Sequence, residues 1–272
     1  MEPLYIKSVS GNLFALYHTP ANPHDIKGHI LFIPPFAEEL NRSRHMISRQ
    51  AREFSQAGYA VLILDLYGTG DSEGTYAEAT VEIWQQDIQS ALSWLKGKSE
   101  LPITLWAMRT GALIAADFVQ QYPDSCQNLI LWSPVGNGKK FISQYLRIKL
   151  AAEFTGKPGD NQTTMKDLWT DLDNGKIIEI AGYDLTGKLA HGLASLDLAT
   201  IKLPETIKVN WIETALSDPA NLSPASQKII EKWETKDIPV NAYAVKDKAF
   251  WTLQEPEWAL DYITQTLKLL HE

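Results

Sequence analysis

Chemistry in this sequence concentrates at three places where an apolar run breaks into polar or small residues. The first is Ala107-Met108-Arg109-Thr110-Gly111, wedged between the apolar run 103–106 and a helical pattern at 112–121. Small residues four apart mark a strand-to-helix turn too tight for larger side chains, and such a turn lifts its central residue over a helix N-terminus. Unpaired backbone N–H groups and the helix dipole favour an anion there. Serine or cysteine at the centre, paired with a base, would give acyl transfer. Arg109 stays protonated and cannot attack a carbonyl. The second place is Pro34-Pro35-Phe36-Ala37-Glu38-Glu39, read as a polar loop after the apolar run 29–33. The third is Asp65 with the glycine-rich turn 67–74, after the run 60–64.

The elements needed to hold these places can be read from the pattern. Short apolar runs at 29–33, 60–64, 103–106 and 128–132 suit strands buried on both faces. Between them lie helical repeats: 43–57, with Ile47, Ala51 and Phe54 on one face and Gly58 as the stop, then Val81, Trp84, Ile88, Leu92 and Leu95 before Gly97. Strands alternating with helices imply a parallel sheet covered on both faces. Runs 4–9 and 13–18 around Ser10-Gly11-Asn12 read as an opening hairpin. Strand signals return at 207–212 and 240–245. A last helix is expected over 258–270 with Trp258, Tyr262, Leu267 and Leu270 inward. The domain reading is a core of 1–134 and 204–272, with 135–203 an inserted cap that shows helical runs and no clear buried strand.

Composition narrows the function. Net charge is −8, with 44% hydrophobic and 21% charged residues. An acidic balance argues against nucleic acid. No apolar run reaches the roughly 20 residues of a membrane helix. No basic-then-apolar leader precedes the first strand. Cys126 is the single cysteine, so no internal disulfide forms, which suits a cytoplasmic location. No cofactor and no metal are expected. The partners left open are a small anionic or saccharide ligand, a second copy of the chain in a homodimer, or another protein.

In order and spacing the three signals resemble the α/β-hydrolase fold, with Ala107 to Gly111 as its nucleophile elbow. The resemblance implies a mostly parallel central sheet with helices on both faces and a small inserted lid. The run from Pro34 through Arg44, the arginine-centred elbow, Trp132-Ser133-Pro134-Val135, Ala181-Gly182-Tyr183 and Phe250-Trp251 are similar to the exosortase A system-associated hydrolases, second type. That family is associated with exopolysaccharide production and protein sorting, and its label as hydrolase rests on fold.

The resemblance also states where a triad should stand. The acid is expected after the strand ending near Thr214, where Asp218 occurs. The base is expected after the last strand, where no histidine occurs and Lys248 lies nearest. Two of three members are missing. Pro34 and Pro35 also remove N–H donors from the loop that usually helps bind an oxyanion. Substitutes are poor. Cys126 reads as a structural residue away from the active edge, and Ser133 as a pocket-lining residue without an elbow. Ser72 reads as a backbone tie, and His191 as a surface or packing residue of the cap. His18, His24, His29, His45 and His271 lie far from the expected site.

Arg109 then has three readings. It forms a partly buried ion pair with Glu38, Glu39 or Asp218; it holds an anionic group of a ligand; or it stabilises developing negative charge in an unconventional reaction. Thr110, Ser133, Phe250 and Trp251 complete the candidate pocket. The two aromatics either stack on a sugar ring or plug the space of the absent histidine. Arg42 and Arg44 read as a solvated helix face. The functional expectation is a degenerate hydrolase that binds such a ligand or a partner. The alternative is an unconventional hydrolase or acyltransferase acting on an ester or glycan-linked acyl group.

Overall fold

The computed structural model describes residues 1–20, 22, 25–154, 163–215 and 220–270. The chain runs β1 (Glu2–Lys7), β2 (Asn12–His18), β3 (Gly28–Ile33), α1 (Glu38–Gln56), β4 (Tyr59–Leu64), α2 (Val81–Lys96), β5 (Ile103–Met108), α3 (Thr110–Gln121) and β6 (Asn128–Trp132). An insert follows: α4 (Gly138–Phe154), α5 (Met165–Asp173), β7 (Ile178–Ile180), β8 (Tyr183–Leu185) and α6 (Gly187–Ser195). The chain ends with β9 (Lys208–Thr214), α7 (Pro224–Glu234), β10 (Val240–Val245), a 3-10 turn (Phe250–Thr252) and α8 (Leu260–Leu269).

Eight strands form one sheet in the order β1-β2-β4-β3-β5-β6-β9-β10. Only β1 with β2 and β2 with β4 pair antiparallel; from β4 to β10 all are parallel. This is the α/β-hydrolase arrangement. Alternation within each strand divides the core. Ile30 and Phe32 of β3 face a layer made by α1 and α8, through Ile47, Phe54 and Tyr262. Leu31 and Ile33 face the layer holding α2, α3 and the insert. Both faces are therefore apolar, and every residue of β3 and β5 is buried.

The first polar strand end is set by steric need. At Gly111 an added Cβ would lie 2.5 Å from the backbone oxygens of Ile33 and Pro34. The turn into α3 thus packs directly on the end of β3, and any side chain there separates them.

Three expectations need correction. Helix α1 begins at Glu38, not near residue 43, so Glu38 and Glu39 form its first turn rather than a loop. Acidic residues suit a helix N-terminus, but that turn lacks the apolar period that made residues 43–57 legible. The last helix begins at Leu260. Trp258 precedes it and is 57% exposed, while Tyr262, Ile263, Thr266 and Leu269 form the buried face. The insert contains a short antiparallel hairpin, β7–β8, turning at Ala181 and Gly182, with Ile178, Ile180 and Leu185 buried. Three-residue strands are too short to show a period.

Candidate active site

Arg109 sits between β5 and α3 at φ 56° and ψ −118°. A side chain with positive φ stores strain, and two bonds hold it. The Arg109 N–H donates to the Trp132 carbonyl at 3.0 Å, and its carbonyl accepts from Val135 N–H at 3.1 Å. Strand β5 is thereby tied to the β6 exit at the point where the chain reverses. Ala37, at the start of α1, repeats the geometry with φ 52° and ψ −130°. Both positions follow the ends of neighbouring parallel strands, β3 and β5.

The guanidinium has three neighbours. Its Nε donates to Glu39 Oε1 at 3.1 Å, its Nη1 donates to the Ser133 carbonyl at 3.0 Å, and its Cζ lies 5.1 Å from the Trp251 ring centroid. Trp251 supplies a cation–π face. Both charged side chains are only 21% exposed, so the pair is partly shielded from water. Glu39 Oε2 is buried with no hydrogen-bond partner. Burial pushes the Glu39 carboxyl above its ordinary range, while Arg109 and, more weakly, Arg42 pull it back. Of the acids considered for Arg109, Glu39 is the partner found, and Asp218 lies outside the described residues. Glu38 turns away. It accepts from Arg42 Nε at 3.4 Å and from the Tyr183 hydroxyl at 2.9 Å.

The remaining candidates are placed as follows. Thr110, the first residue of α3, is buried and its Oγ1 has no hydrogen-bond partner. The Ser133 hydroxyl lies 2.5 Å from the Tyr262 hydroxyl and accepts from Thr214 N–H at 3.3 Å. It is committed to packing, and the serine meets Arg109 through its carbonyl instead. Phe250 is 1% exposed, wedged against Trp132, Tyr262 and Trp251. Phe250 and Trp251 fill the loop after β10 as a buried aromatic block, with no ring face free for a sugar at Phe250. Lys248 follows β10 but points outward, its Nζ 2.7 Å from Glu257.

Among the described residues no histidine bonds to Arg109, Glu39 or Ser133. His29 meets Ser99, His45 meets the Glu257 carbonyl, and His191 meets Asp173. His24 and His271 lie outside the described residues. The Cys126 thiol is buried and pushed up to about 12 by that burial, which suppresses the thiolate. Ser72 ties backbone, donating to the Asp65 carbonyl and accepting from Phe14 N–H. Arg42 and Arg44 are not a purely solvated face. Arg42 also donates to the Thr252 carbonyl at 2.7 Å, and Arg44 bridges to the buried Asp65 at 3.3 Å.

One contributor was not legible in the sequence. The Tyr76 hydroxyl accepts the Ala37 N–H at 2.8 Å. That N–H lies in the loop beyond the two prolines, and tyrosine satisfies it. Tyr76 precedes α2 and carries no local pattern that points to residue 37. The site therefore holds a cation, a compensating carboxylate and an aromatic face, and among the described residues no nucleophile–base pair is seen beside them.

Comparison with known proteins agrees on fold. A family model described as serine aminopeptidase, S33, matches residues 24–168. Est1E of Butyrivibrio proteoclasticus with ferulic acid bound is similar at 16% identity, over 98% of this chain and 97% of that one, with a TM-score of 0.70. Mouse alpha/beta hydrolase domain-containing protein 10 is similar at 15% identity, over 100% and 99%, with a TM-score of 0.60. A serine hydrolase without lid from Xanthomonas campestris is similar at 13%, over 97% and 90%, with a TM-score of 0.59. At these identities the likeness is one of fold. No curated protein matches the sequence.

Proposed function

The chain belongs to the serine aminopeptidase S33 family of α/β hydrolases, and from that premise we propose that it is a degenerate member that binds rather than hydrolyses. Its ligand is anionic or saccharide-type, or else a protein partner, and residues 135–203 act as the cap over it. The setting is cytoplasmic and linked to exopolysaccharide production and exosortase-dependent sorting, a placement supported by the resemblance of the Pro34–Arg44, elbow and Phe250-Trp251 segments. One observation carries the loss of hydrolysis. The elbow holds Arg109 neutralised by Glu39 at 3.1 Å and covered by Trp251, where triad hydrolysis needs a nucleophilic side chain beside a base.

The second reading is an unconventional hydrolase or acyltransferase on an ester or glycan-linked acyl group. It draws on Glu39 Oε2, which is buried and unpartnered. A carboxylate whose pKa is raised by burial can take a proton from water while Arg109 stabilises an oxyanion.

A fluorophosphonate probe and short-chain p-nitrophenyl esters separate these. The binding reading expects no covalent label and no ester turnover above buffer. Turnover without label supports the second reading. Stoichiometric label on any serine overturns both.

A further inference from the structure

We propose that the cleft between the glycine turn after β4 and the β7–β8 hairpin is a binding site for a polyhydroxylated ligand, a sugar unit bearing no acid. This rests on the binding reading above and deepens it, choosing one ligand chemistry and placing it beside the elbow. The cleft measures about 360 Å³, inside the range of small-molecule sites. One wall is the backbone of Gly68, Thr69 and Gly70 with Tyr76; the other is Glu179, Tyr183 and Asp184.

Charge decides the class of ligand. Glu179 and Asp184 are directly opposed across the hairpin, so both project from one face. Like charges opposed across a strand pair repel, and among the described residues neither forms an ion pair. An anion entering the cleft therefore meets two uncompensated carboxylates. Guanidiniums stand at the rim. Arg44 bonds to Asp65 under Gly70, and Arg42 pairs with Glu38. Both lie close enough to Tyr183 to pull its hydroxyl pKa down against burial and Glu38. Each of these guanidiniums is already neutralised by its own acid, so the two unpaired carboxylates leave the cleft net negative, open to hydroxyl groups and to amines but not to acids. Hydroxyl groups donate to the carboxylates, and charge-assisted bonds of this kind are the stronger ones. Tyr183 and Tyr76, edge-to-face at 5.3 Å, offer aromatic surface to the C–H face of a ring.

The wall opposite is held by the turn's own packing: at Gly68, with φ 76°, an added Cβ would lie 2.3 Å from the Thr75 carbonyl oxygen. At Gly182 on the hairpin nothing lies within 4 Å of such a Cβ, so the mouth stays open. The cleft is also wired to the elbow. The Tyr76 hydroxyl holds Ala37 N–H, and the Tyr183 hydroxyl donates to Glu38, the neighbour of Glu39.

Saturation-transfer NMR and calorimetry on the full chain test this. The neutral probes are the methyl glycosides of glucose, galactose and mannose, against glucuronate as acid and glucosamine as amine. We expect at least one neutral glycoside to bind, with glucuronate weaker and glucosamine no weaker. Glu179→Gln and Asp184→Asn should each weaken the neutral probe about tenfold, and Tyr183→Ala should abolish binding while far-UV circular dichroism is retained. Glucuronate binding as tightly as the neutral probes, or glucosamine binding more weakly than they do, overturns the proposal. So does the absence of binding by every neutral probe, or neutral binding unchanged in the two carboxylate variants. These readouts do not depend on turnover. Serine labelling overturns the elbow reading and leaves the cleft standing, whereas failed sugar binding on an unlabelled protein overturns the cleft alone.

Discussion

Replacing Arg109 with methionine removes the only cation bonded to Glu39 among the described residues and leaves a carboxylate held in place by α1. Methionine keeps the aliphatic stem but not the guanidinium that meets Trp251, so some packing is lost as well. The charge is the issue. Breaking a buried pair by deleting one partner costs about 3–5 kcal/mol. Here both side chains retain 21% exposure, and water reduces that figure to about 2–4 kcal/mol. For a chain of this size the loss corresponds to a fall in Tm of roughly 4–7 °C. The pH dependence has a definite sign. Burial already raises the Glu39 pKa and Arg109 lowers it. Without Arg109 the folded-state pKa rises further above the unfolded value. A raised folded-state pKa means that the protonated form is favoured by folding, so stability is lost as pH rises through it. The deficit of Arg109→Met should thus be largest near neutral pH and shrink toward about pH 5 as Glu39 takes up a proton. Adding Glu39→Gln should recover most of it. Thermal and urea denaturation of the two single variants and the double variant across that range form the assay. A neutral Arg109→Met, or a deficit that grows on acidification, refutes the claim that Arg109 compensates Glu39.

Gly111→Ala should destabilise by about 2–4 kcal/mol, because its Cβ meets two backbone oxygens at 2.5 Å and only movement of α3 relieves it; denaturant midpoints at constant m-value check this. Asp87 is buried and its carboxyl is pushed up to about 6 by that burial, against bonds from Tyr67 N–H and the Ser8 hydroxyl. Since its folded-state pKa is raised, stability should fall by about 3 kcal/mol as pH rises from 3.8 through about 6, and Asp87→Asn should flatten that part of the pH–stability curve.

Much of the scaffold was legible in the residues. Buried runs such as Gly28–Ile33 and Ile103–Met108 read as strands because both faces must be apolar, and the small pair Ala107 and Gly111 marked the turn between them. What failed to read has physical causes. The first turn of α1 is polar, so its helical character lies in its charges and not in a period. The register of α8 went astray at Trp258, a large apolar residue that solvent tolerates outside the helix. The hairpin β7–β8 has three-residue strands whose identity comes from packing on α4, where the Tyr145 hydroxyl donates to the Ile180 carbonyl at 3.1 Å.

The sequence by itself determined what stands at two key positions: an arginine at the elbow, which cannot act as a nucleophile, and no histidine between Val245 and His271. It also determined the topology, since alternating buried runs and amphipathic repeats admit few arrangements. Only the tertiary structure decided which acid neutralises Arg109, that Trp251 covers it, and that Tyr76 serves Ala37. Those choices join residues 70, 142 and 39 positions apart along the chain. They follow from where the strands end in space, which local pattern does not encode. A guanidinium can pair with any nearby carboxylate, and the packing of α1 on the sheet delivers Glu39.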